Sequence, residues 1–137
     1  MKVHEIMTTQ VESVSPTTSL RRAAQKMSDL NIGSLPIIDD GQLLGIITDR
    51  DISCHAIAMG HDPNSTEVQK VMTRDVNTCF DDQDITDAAR LMSRQHIRRL
   101  AVLNHDNKVT GFLSVDDLAR CSHDLAGTVL ESATPTH

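Results

Sequence analysis

An internal repeat that covers most of the chain constrains the fold more than any other feature. Met7-Thr8 recurs as Met72-Thr73, sixty-five positions later. The same spacing relates further pairs along both halves: Val11 and Val76, Ala23-Ala24 and Ala88-Ala89, Met27-Ser28 and Met92-Ser93. One extra residue near Asp106-Asn107 then raises the offset to sixty-six. Two copies are too few for a stacked solenoid, so we expect two units facing each other about a pseudo-twofold axis.

Each copy begins with an extended piece and a helix. The extended pieces are residues 11–14 and 76–79. In the first copy the helix presents one apolar stripe at helical spacing, formed by Leu20, Ala23, Ala24, Met27 and Leu30. The second copy repeats the stripe with Ile85, Ala88, Ala89 and Met92. Ser19 and Asp84 stand where helix N-caps are expected.

A hairpin and a second helix complete each copy. In the first copy two apolar runs, 35–38 and 43–47, flank a turn at 39–41. In the second copy, runs 100–103 and 109–113 flank residues 104–108. A second helix is expected after Thr48 and after Ser114. The predicted order is therefore β-α-β-β-α, twice, with the two units packed sheet to sheet around one core.

Composition narrows the class of protein. The chain has 137 residues with two Phe and no Tyr or Trp, so its core must be aliphatic. A net charge of −6 argues against general nucleic-acid binding, which needs a basic surface. The three cysteines, Cys54, Cys79 and Cys121, form no disulfide framework. Without a signal peptide or a membrane-length apolar run, we expect a reduced cytoplasmic protein that binds neither membrane nor nucleic acid.

The repeat and the polar linker between its two copies predict where each motif begins and ends. Motif 1 is expected at residues 1–60, a linker at 61–69 and motif 2 at 70–124. Residues 125–137 carry weak signals and are expected to form a C-terminal tail that frays.

Three short stretches together resemble the cystathionine-β-synthase (CBS) domain. They are IITDRDI at 46–52, SLPII at 34–38 and IMT at 6–8. Two copies in tandem resemble a Bateman module of the stand-alone bacterial type, over roughly residues 3–122. The resemblance implies an α+β fold of two β-α-β-β-α CBS units, packed about a pseudo-twofold axis. It also implies a homodimer and clefts that bind adenosine nucleotides.

The pattern Thr48-x-x-Asp51 recurs as Ser114-x-x-Asp117. A carboxylate suits the two ribose hydroxyls, and a hydroxyl at a helix start suits a phosphate. The family resemblance implies these roles for both pairs. The same pattern is also close to a capping box, which stabilises a helix start without any ligand. Both interpretations remain open.

The two copies differ beside this pattern. In the second copy, the resemblance implies that Arg98 and Arg99 bind ligand phosphates, for which arginine is well suited. The alternative is that they form only a solvated charged turn. The first copy has Gly33-Ser34 there, where Gly33 would admit a flat base close to the backbone. Aliphatic contacts from Val14 and Ile32 are expected to hold the base. The two clefts are thus predicted to be unequal.

The leading hypothesis is a regulatory sensor of AMP, ADP or ATP that acts through a dimer and needs no cofactor. The alternative is a ligand-free interaction or scaffold protein whose hydroxyl–carboxylate pairs only cap helices. A metal or redox sensor using Cys54, Cys79 or Cys121 is a third hypothesis, although small buried thiols are the favoured interpretation of these residues. No nucleophile with a general base, P-loop or GxGxxG motif is present, so no enzyme is predicted.

Overall fold

A computed structural model describes residues 1–133, and its chain divides into two compact units. Unit 2 comprises Glu12–Val76. Unit 1 comprises Met1–Val11 and the chain from Asn77 onwards. The opening segment thus belongs to the unit that contains the second repeat. The boundaries of the compact units therefore differ from the boundaries of the motifs expected at 1–60 and 70–124.

Unit 2 contains α1 (Leu20–Leu30), β1 (Ser34–Asp39), β2 (Gln42–Thr48) and a π-helix (Asp51–Ile57). The Ser19 hydroxyl caps α1 by accepting a hydrogen bond from the Arg22 backbone at 3.2 Å, as predicted. Asn31 ends α1 in the left-handed conformation, with φ of 55°. Leu20, Ala23 and Met27 of the predicted apolar stripe are buried, whereas Leu30 at the end of the helix is 40% exposed, so the prediction is wrong for that residue.

The hairpin of unit 2 turns at Asp40 and Gly41, whose φ values are 50° and 77°. Two consecutive positive φ values define the two-residue turn whose twist matches that of a hairpin. The antiparallel strands β1 and β2 bury Leu35, Ile37 and Ile47 completely. The predicted hairpin is therefore confirmed.

Unit 1 follows the same plan with one more strand. Its elements are β3 (Thr78–Phe80), α2 (Ile85–Gln95), β4 (Arg99–Leu103), β5 (Val109–Ser114), α3 (Val115–Ala119) and α4 (His123–Ala133). The Asp84 carboxylate caps α2 by accepting from the Thr86 backbone at 2.9 Å. That hydrogen bond also lowers the pKa of Asp84. The second predicted cap is thus confirmed. The helices and strands of the two units together confirm the predicted α+β class.

The extended pieces expected before each first helix form to different degrees. In unit 1 β3 pairs parallel to β4, so the piece expected at 76–79 does form a strand, which begins two residues later and ends one residue later than expected. In unit 2 only Val14 pairs with β1, through a single parallel bridge to Ile37. The prediction of a strand at 11–14 is therefore wrong beyond this bridge.

Each sheet gains a further edge from a Met-Thr segment that precedes the other repeat in the sequence. Thr8 bridges Phe112 of β5 in unit 1, and Thr73 bridges Ile46 of β2 in unit 2. Glycine makes both contacts possible. A Cβ at Gly111 would lie 2.6 Å from the Thr8 carbonyl oxygen, and one at Gly45 would lie 2.6 Å from the Thr73 carbonyl oxygen.

The C-terminal segment differs from the expected fraying tail. Residues His123–Ala133 form α4, which packs against α2 and α3. Ala126 and Val129 are buried in the unit 1 core, because small apolar residues recur there at helical spacing. The prediction of a tail from residue 125 is wrong up to residue 133, and residues 134–137 lie outside the described part.

Each unit buries its own group of apolar side chains. In unit 2 Val14, Leu20, Leu35 and Val68 belong to one cluster. The unit 1 cluster joins α2, β4 and α4 and includes Val3 from the opening segment, with no exposed surface. Among residues 1–133, no helix combines the length and apolar character needed to cross a membrane.

Candidate functional site

The pair Thr48 and Asp51 forms a reciprocal cap where β2 ends. The Thr48 backbone donates to Asp51 Oδ2 at 3.0 Å, and the Asp51 backbone donates to the Thr48 hydroxyl at 3.0 Å. Asp51 is only 3% exposed. The carboxylate thus satisfies the Thr48 backbone N–H and the Thr48 hydroxyl satisfies that of Asp51, which is the reciprocal role of a capping box.

Ser114 and Asp117 repeat this arrangement at the end of β5. The Ser114 backbone donates to Asp117 Oδ2 at 2.9 Å, and the Asp117 backbone donates to the Ser114 hydroxyl at 3.2 Å. Asp117 is also 3% exposed. Both pairs are therefore helix caps, and a ligand role would be additional to this one.

A threonine from the Met-Thr segment is the third member of each group, and the sequence reasoning missed it. The Thr8 hydroxyl lies 3.3 and 3.5 Å from the two oxygens of Asp117. The Thr73 hydroxyl lies 3.4 and 3.3 Å from the two oxygens of Asp51. The recurrence of Met-Thr was the available signal, but position in the sequence placed each threonine with the wrong repeat.

The fourth partner differs between the units. In unit 2 the His55 ring nitrogen Nδ1 lies 2.9 Å from Asp51 Oδ1. In unit 1 the Arg120 guanidinium donates to Asp117 Oδ1 at 3.4 Å, from a side chain that is 77% exposed. Asp51 Oδ1 therefore has a short contact with His55, whereas within residues 1–133 Asp117 Oδ1 has only the longer contacts with Thr8 and Arg120.

Arg98 and Arg99 lie directly beside the Ser114–Asp117 cap. Arg99 pairs with Ser114 across β4 and β5, and the Val115 backbone donates to the Arg98 carbonyl at 3.0 Å. Both arginines are exposed, and neither forms an ion pair with a carboxylate in residues 1–133. This surface of unit 1 therefore presents positive charge that no carboxylate of residues 1–133 pairs with.

The matching place in unit 2 is not basic. Ser34 pairs with Thr48, and the Asp49 backbone donates to the Gly33 carbonyl at 3.0 Å. A Cβ at Gly33 would lie 3.2 Å from an oxygen of Asp49, so a carboxylate borders this backbone. Ile32 is partly buried against the unit 2 core. The chemical inequality expected between the two copies is thus present within the units themselves.

A cavity of about 650 Å³ lies elsewhere in unit 2. Its walls come from the segment before α1 and from one face of α1: Ser13, Val14, Ser15, Thr18, Arg22, Gln25, Lys26 and Asp29. Of the predicted site residues it includes Val14 alone. Inside it the Lys26 ammonium already donates to the Ser13 carbonyl at 2.7 Å and pairs with Glu12 at 3.2 Å.

The cysteines occupy unlike environments. Cys79 is buried in unit 1, and burial raises the pKa of its thiol to about 11. Cys54 and Cys121 are exposed, so the interpretation of buried thiols is wrong for these two. Within residues 1–133, no group of three or more His, Cys, Asp or Glu side chains is placed to hold a metal ion.

Comparison with known proteins shows which sequence family this chain matches. The family model "CBS domain" matches residues 3–55 and 68–124. The CBS domain-containing protein YhcV of Bacillus subtilis is 37% identical over 130 residues, covering 93% of this chain and 91% of that one. A homoserine O-acetyltransferase of Methanococcoides burtonii is 34% identical, but the match covers only 23% of its length.

Solved structures share the fold over most of the chain. Hypoxic Response Protein I, with two coordinated zinc ions, gives a TM-score of 0.78 at 30% identity and covers 89% of this chain and 99% of that one. CBSX2 in complex with AMP gives 0.74 at 28% identity, covering 87% and 93%. The CBS domain pair of MJ0100, in complex with 5′-methylthioadenosine and S-adenosyl-L-methionine, gives 0.71 at 30% identity, covering 88% and 98%.

Proposed function

The chain belongs to the CBS domain family, and from this premise we propose that it is a cytoplasmic regulatory module that binds an adenosine nucleotide and acts as a homodimer without catalysing a reaction. Two of its structural relatives were solved with adenosine-containing ligands, AMP in one and S-adenosyl-L-methionine with 5′-methylthioadenosine in the other. The observation that carries the proposal is that Arg98 and Arg99 are exposed beside the Ser114–Asp117 cap and form no ion pair within residues 1–133.

Unit 1 supplies the complementary chemistry for a nucleotide within a small stretch of structure. Arginine forks match phosphate oxygens and remain charged at any physiological pH. From residues 1–133, Asp117 Oδ1 accepts only contacts of 3.3 and 3.4 Å, so it can accept a ribose hydroxyl at a shorter distance. The chain is acidic overall, with net charge −6, so this local basic cluster decides where an anion binds.

Unit 2 offers less to a nucleotide phosphate. Gly33-Ser34 replaces the two arginines, and the Asp49 carboxylate borders Gly33. Asp51 Oδ1 is engaged by His55 at 2.9 Å. We therefore place the phosphate and ribose contacts of the tighter site on Arg98, Arg99, Ser114 and Asp117, with AMP, ADP or ATP as the ligand. Thr48 and Asp51 contribute to a weaker site, with Val14, Ile32 and Gly33 contacting a base.

A non-catalytic role follows from what surrounds the two carboxylates. Each is 3% exposed and engaged by backbone donors, so neither is free to act as a general base. Two relatives named homoserine O-acetyltransferase match this chain over only 23% of their own length. The match therefore leaves out most of each of those proteins.

A ligand-free scaffold is the second candidate, because both hydroxyl–carboxylate pairs are complete capping boxes. It predicts that substitution of Asp51 or Asp117 lowers stability equally in the presence and absence of nucleotide. The nucleotide-binding proposal predicts instead that Asp117→Ala abolishes ligand-dependent stabilisation.

Thermal unfolding with an extrinsic dye tests the proposal against AMP, ADP, ATP and S-adenosyl-L-methionine. A ligand at one hundred times its Kd should stabilise the fold by about 2.7 kcal/mol. The double variant Arg98→Ala/Arg99→Ala should lose this shift. The matched control Arg21→Ala/Arg22→Ala removes two adjacent arginines from unit 2 and should keep it.

Absence of any shift at millimolar ligand contradicts nucleotide binding. Loss of the shift in the Arg21/Arg22 control, but not in the Arg98/Arg99 variant, would move the site to the cavity that Arg22 lines. Sedimentation equilibrium on the same samples tests the homodimer.

A further inference from the structure

The proposed ribose acceptor of unit 1 already has an occupant from the chain itself. The Thr8 hydroxyl lies 3.3 Å from Oδ1 and 3.5 Å from Oδ2 of Asp117. These distances exceed the 2.7–2.8 Å that hydroxyl–oxygen hydrogen bonds favour. Thr8 is an exposed residue, whereas Asp117 is 3% exposed. The exposed hydroxyl therefore covers a buried carboxylate with a weak contact.

The backbone of Thr8 is held far more firmly than its side chain. Its N–H donates to the Phe112 carbonyl at 2.8 Å, and its carbonyl accepts from the Phe112 N–H at 2.9 Å. The contact with Gly111 leaves no space for a Cβ beneath the same carbonyl. The hydroxyl can leave Asp117 by rotation about χ1, while the segment stays attached to β5.

We propose that Thr8 sets the affinity of the unit 1 site by competing, from within the chain, with a ligand hydroxyl for Asp117 Oδ1. The inference rests on the nucleotide-binding function proposed above. In the ligand-free chain the threonine hydroxyl satisfies the carboxylate. A ribose hydroxyl replaces it at a shorter distance, and the Thr8 hydroxyl turns to solvent.

The two oxygens of Asp117 have separate duties in this exchange. Oδ2 keeps the 2.9 Å hydrogen bond from the Ser114 backbone, so the helix cap survives ligand binding. Within the described part of the chain, Oδ1 has only the Thr8 contact and the 3.4 Å contact from Arg120. The carboxylate is open to ligand only while the Thr8 hydroxyl is turned away. The apparent affinity therefore equals the intrinsic affinity multiplied by the fraction of chains in which Thr8 is turned away.

Unit 2 contains the same threonine but provides a control. The Thr73 hydroxyl lies 3.3 and 3.4 Å from the oxygens of Asp51. Asp51 Oδ1 also has the 2.9 Å contact with His55, which removal of the Thr73 hydroxyl leaves in place. Thr73→Val therefore changes an equivalent residue without opening an equivalent acceptor.

Calorimetric titration of the full chain with ATP and with dideoxy-ATP, which lacks both ribose hydroxyls, tests the inference. Thr8→Val should tighten ATP binding about threefold to fivefold, the scale of one weak net hydrogen bond. It should leave dideoxy-ATP binding unchanged, because that ligand does not use the carboxylate. Thr8→Ser, which keeps the hydroxyl, and Thr73→Val should both resemble the wild type with either ligand.

The outcomes separate this inference from the proposed function. ATP binding that is unchanged or weakened by Thr8→Val, in a wild type that binds ATP, overturns the competition alone. An equal effect on ATP and dideoxy-ATP also overturns it, because the change would then be structural. A wild type that binds neither ligand contradicts nucleotide binding and the competition together. Thr8→Ala replaces Thr8→Val where circular dichroism shows that the valine variant is misfolded.

Discussion

Units 1 and 2 share the residues that build a cap and differ in the residues that we propose contact a ligand. In both, a glycine of the last strand admits a Met-Thr segment, whose threonine hydroxyl approaches a buried aspartate. Around this common arrangement, unit 1 has Arg98-Arg99 and Arg120, whereas unit 2 has Gly33-Ser34 and His55. The shared residues stabilise the fold, and the differing residues alter charge without altering the backbone plan. Duplication thus preserved the cap while the surrounding surface diverged.

The largest effect is expected where the two units are alike. Gly111→Ala and Gly45→Ala each place a Cβ 2.6 Å from a carbonyl oxygen, so the Met-Thr segment must move away. Each variant should lower the free energy of unfolding by about 2–3 kcal/mol, the range of core overpacking. Thermal or denaturant unfolding measures the loss.

Gly127→Ala is the control for both glycine variants. Nothing lies within 4 Å of a Cβ at Gly127, which sits in α4. Because alanine is more favourable than glycine in a helix interior, the free energy of unfolding of this variant should rise by up to about 1 kcal/mol. Equal losses at all three positions would show that the Met-Thr contacts are unimportant.

The capping aspartates should show a smaller effect that distinguishes the units. Asp51→Ala and Asp117→Ala each remove a carboxylate that caps backbone N–H groups, at a cost of about 1–2 kcal/mol. Asp51→Ala should cost a few tenths more because it also loses the 2.9 Å contact with His55, which is 60% exposed and therefore adds little.

Chemical denaturation without nucleotide measures this difference. Asp116→Ala removes an exposed carboxylate from the first turn of α3 and should cost only a few tenths of a kcal/mol. A variant of Asp51 or Asp117 that is no less stable than Asp116→Ala would refute the capping role.

The smallest effect concerns a contact that unit 1 has and unit 2 lacks. His105 Nε2 lies 2.7 Å from Asp82 Oδ2, and the His105 ring stacks on Phe80 at 4.6 Å. The hydrogen bond with Asp82 raises the pKa of His105, and the same bond lowers the pKa of Asp82. At the corresponding places unit 2 has Thr17 and the turn residue Asp40.

The pH dependence follows from these directions. The His105 contribution to stability is complete below the ordinary histidine pKa of 6.5 and is lost as the pH rises through the raised folded-state pKa. The Asp82 contribution is present above the ordinary aspartate pKa of 3.8 and is lost as the pH falls through the lowered one. The pair therefore stabilises unit 1 most between about pH 4 and 6.5.

Nuclear magnetic resonance titration of the His105 ring checks this contact. Asp82→Asn should lower the pKa of His105 toward its ordinary value. An unchanged His105 titration in Asp82→Asn would mean that the pair does not form in solution.

Local patterns in the sequence sufficed for the parts of the fold that depend on neighbouring residues. The caps at Ser19 and Asp84, the helix stripes and both hairpins depend on spacings of a few residues, and all were predicted. α4 was not predicted because its apolar stripe is short, although Ser122 precedes it in the position of an N-cap and accepts from the Leu125 backbone at 3.3 Å. The π-helical winding after Thr48 has no local signature.

The long-range parts of the candidate site could not be read in the same way. Thr8 meets Asp117 across 109 positions, and Val3 enters the core built by α2 and α4. Since each Met-Thr segment packs with the repeat that it does not precede, adjacency in sequence gives the wrong partner. The hydroxyl–carboxylate pairs were predicted from their spacing and Arg98-Arg99 from the family resemblance, but the threonines that contact the two aspartates could be identified only from the tertiary structure.

One measurement tests the central claim that the basic face of unit 1 is the nucleotide site. A titration of the isotopically labelled chain with ATP, followed by amide resonances, reports both units at once. The account predicts saturable shifts centred on Arg98, Arg99 and residues 114–117, at lower ATP concentrations than any shifts at Gly33 and residues 48–51. Shifts that appear first at Gly33 and residues 48–51, or no saturable shifts at millimolar ATP, would contradict it.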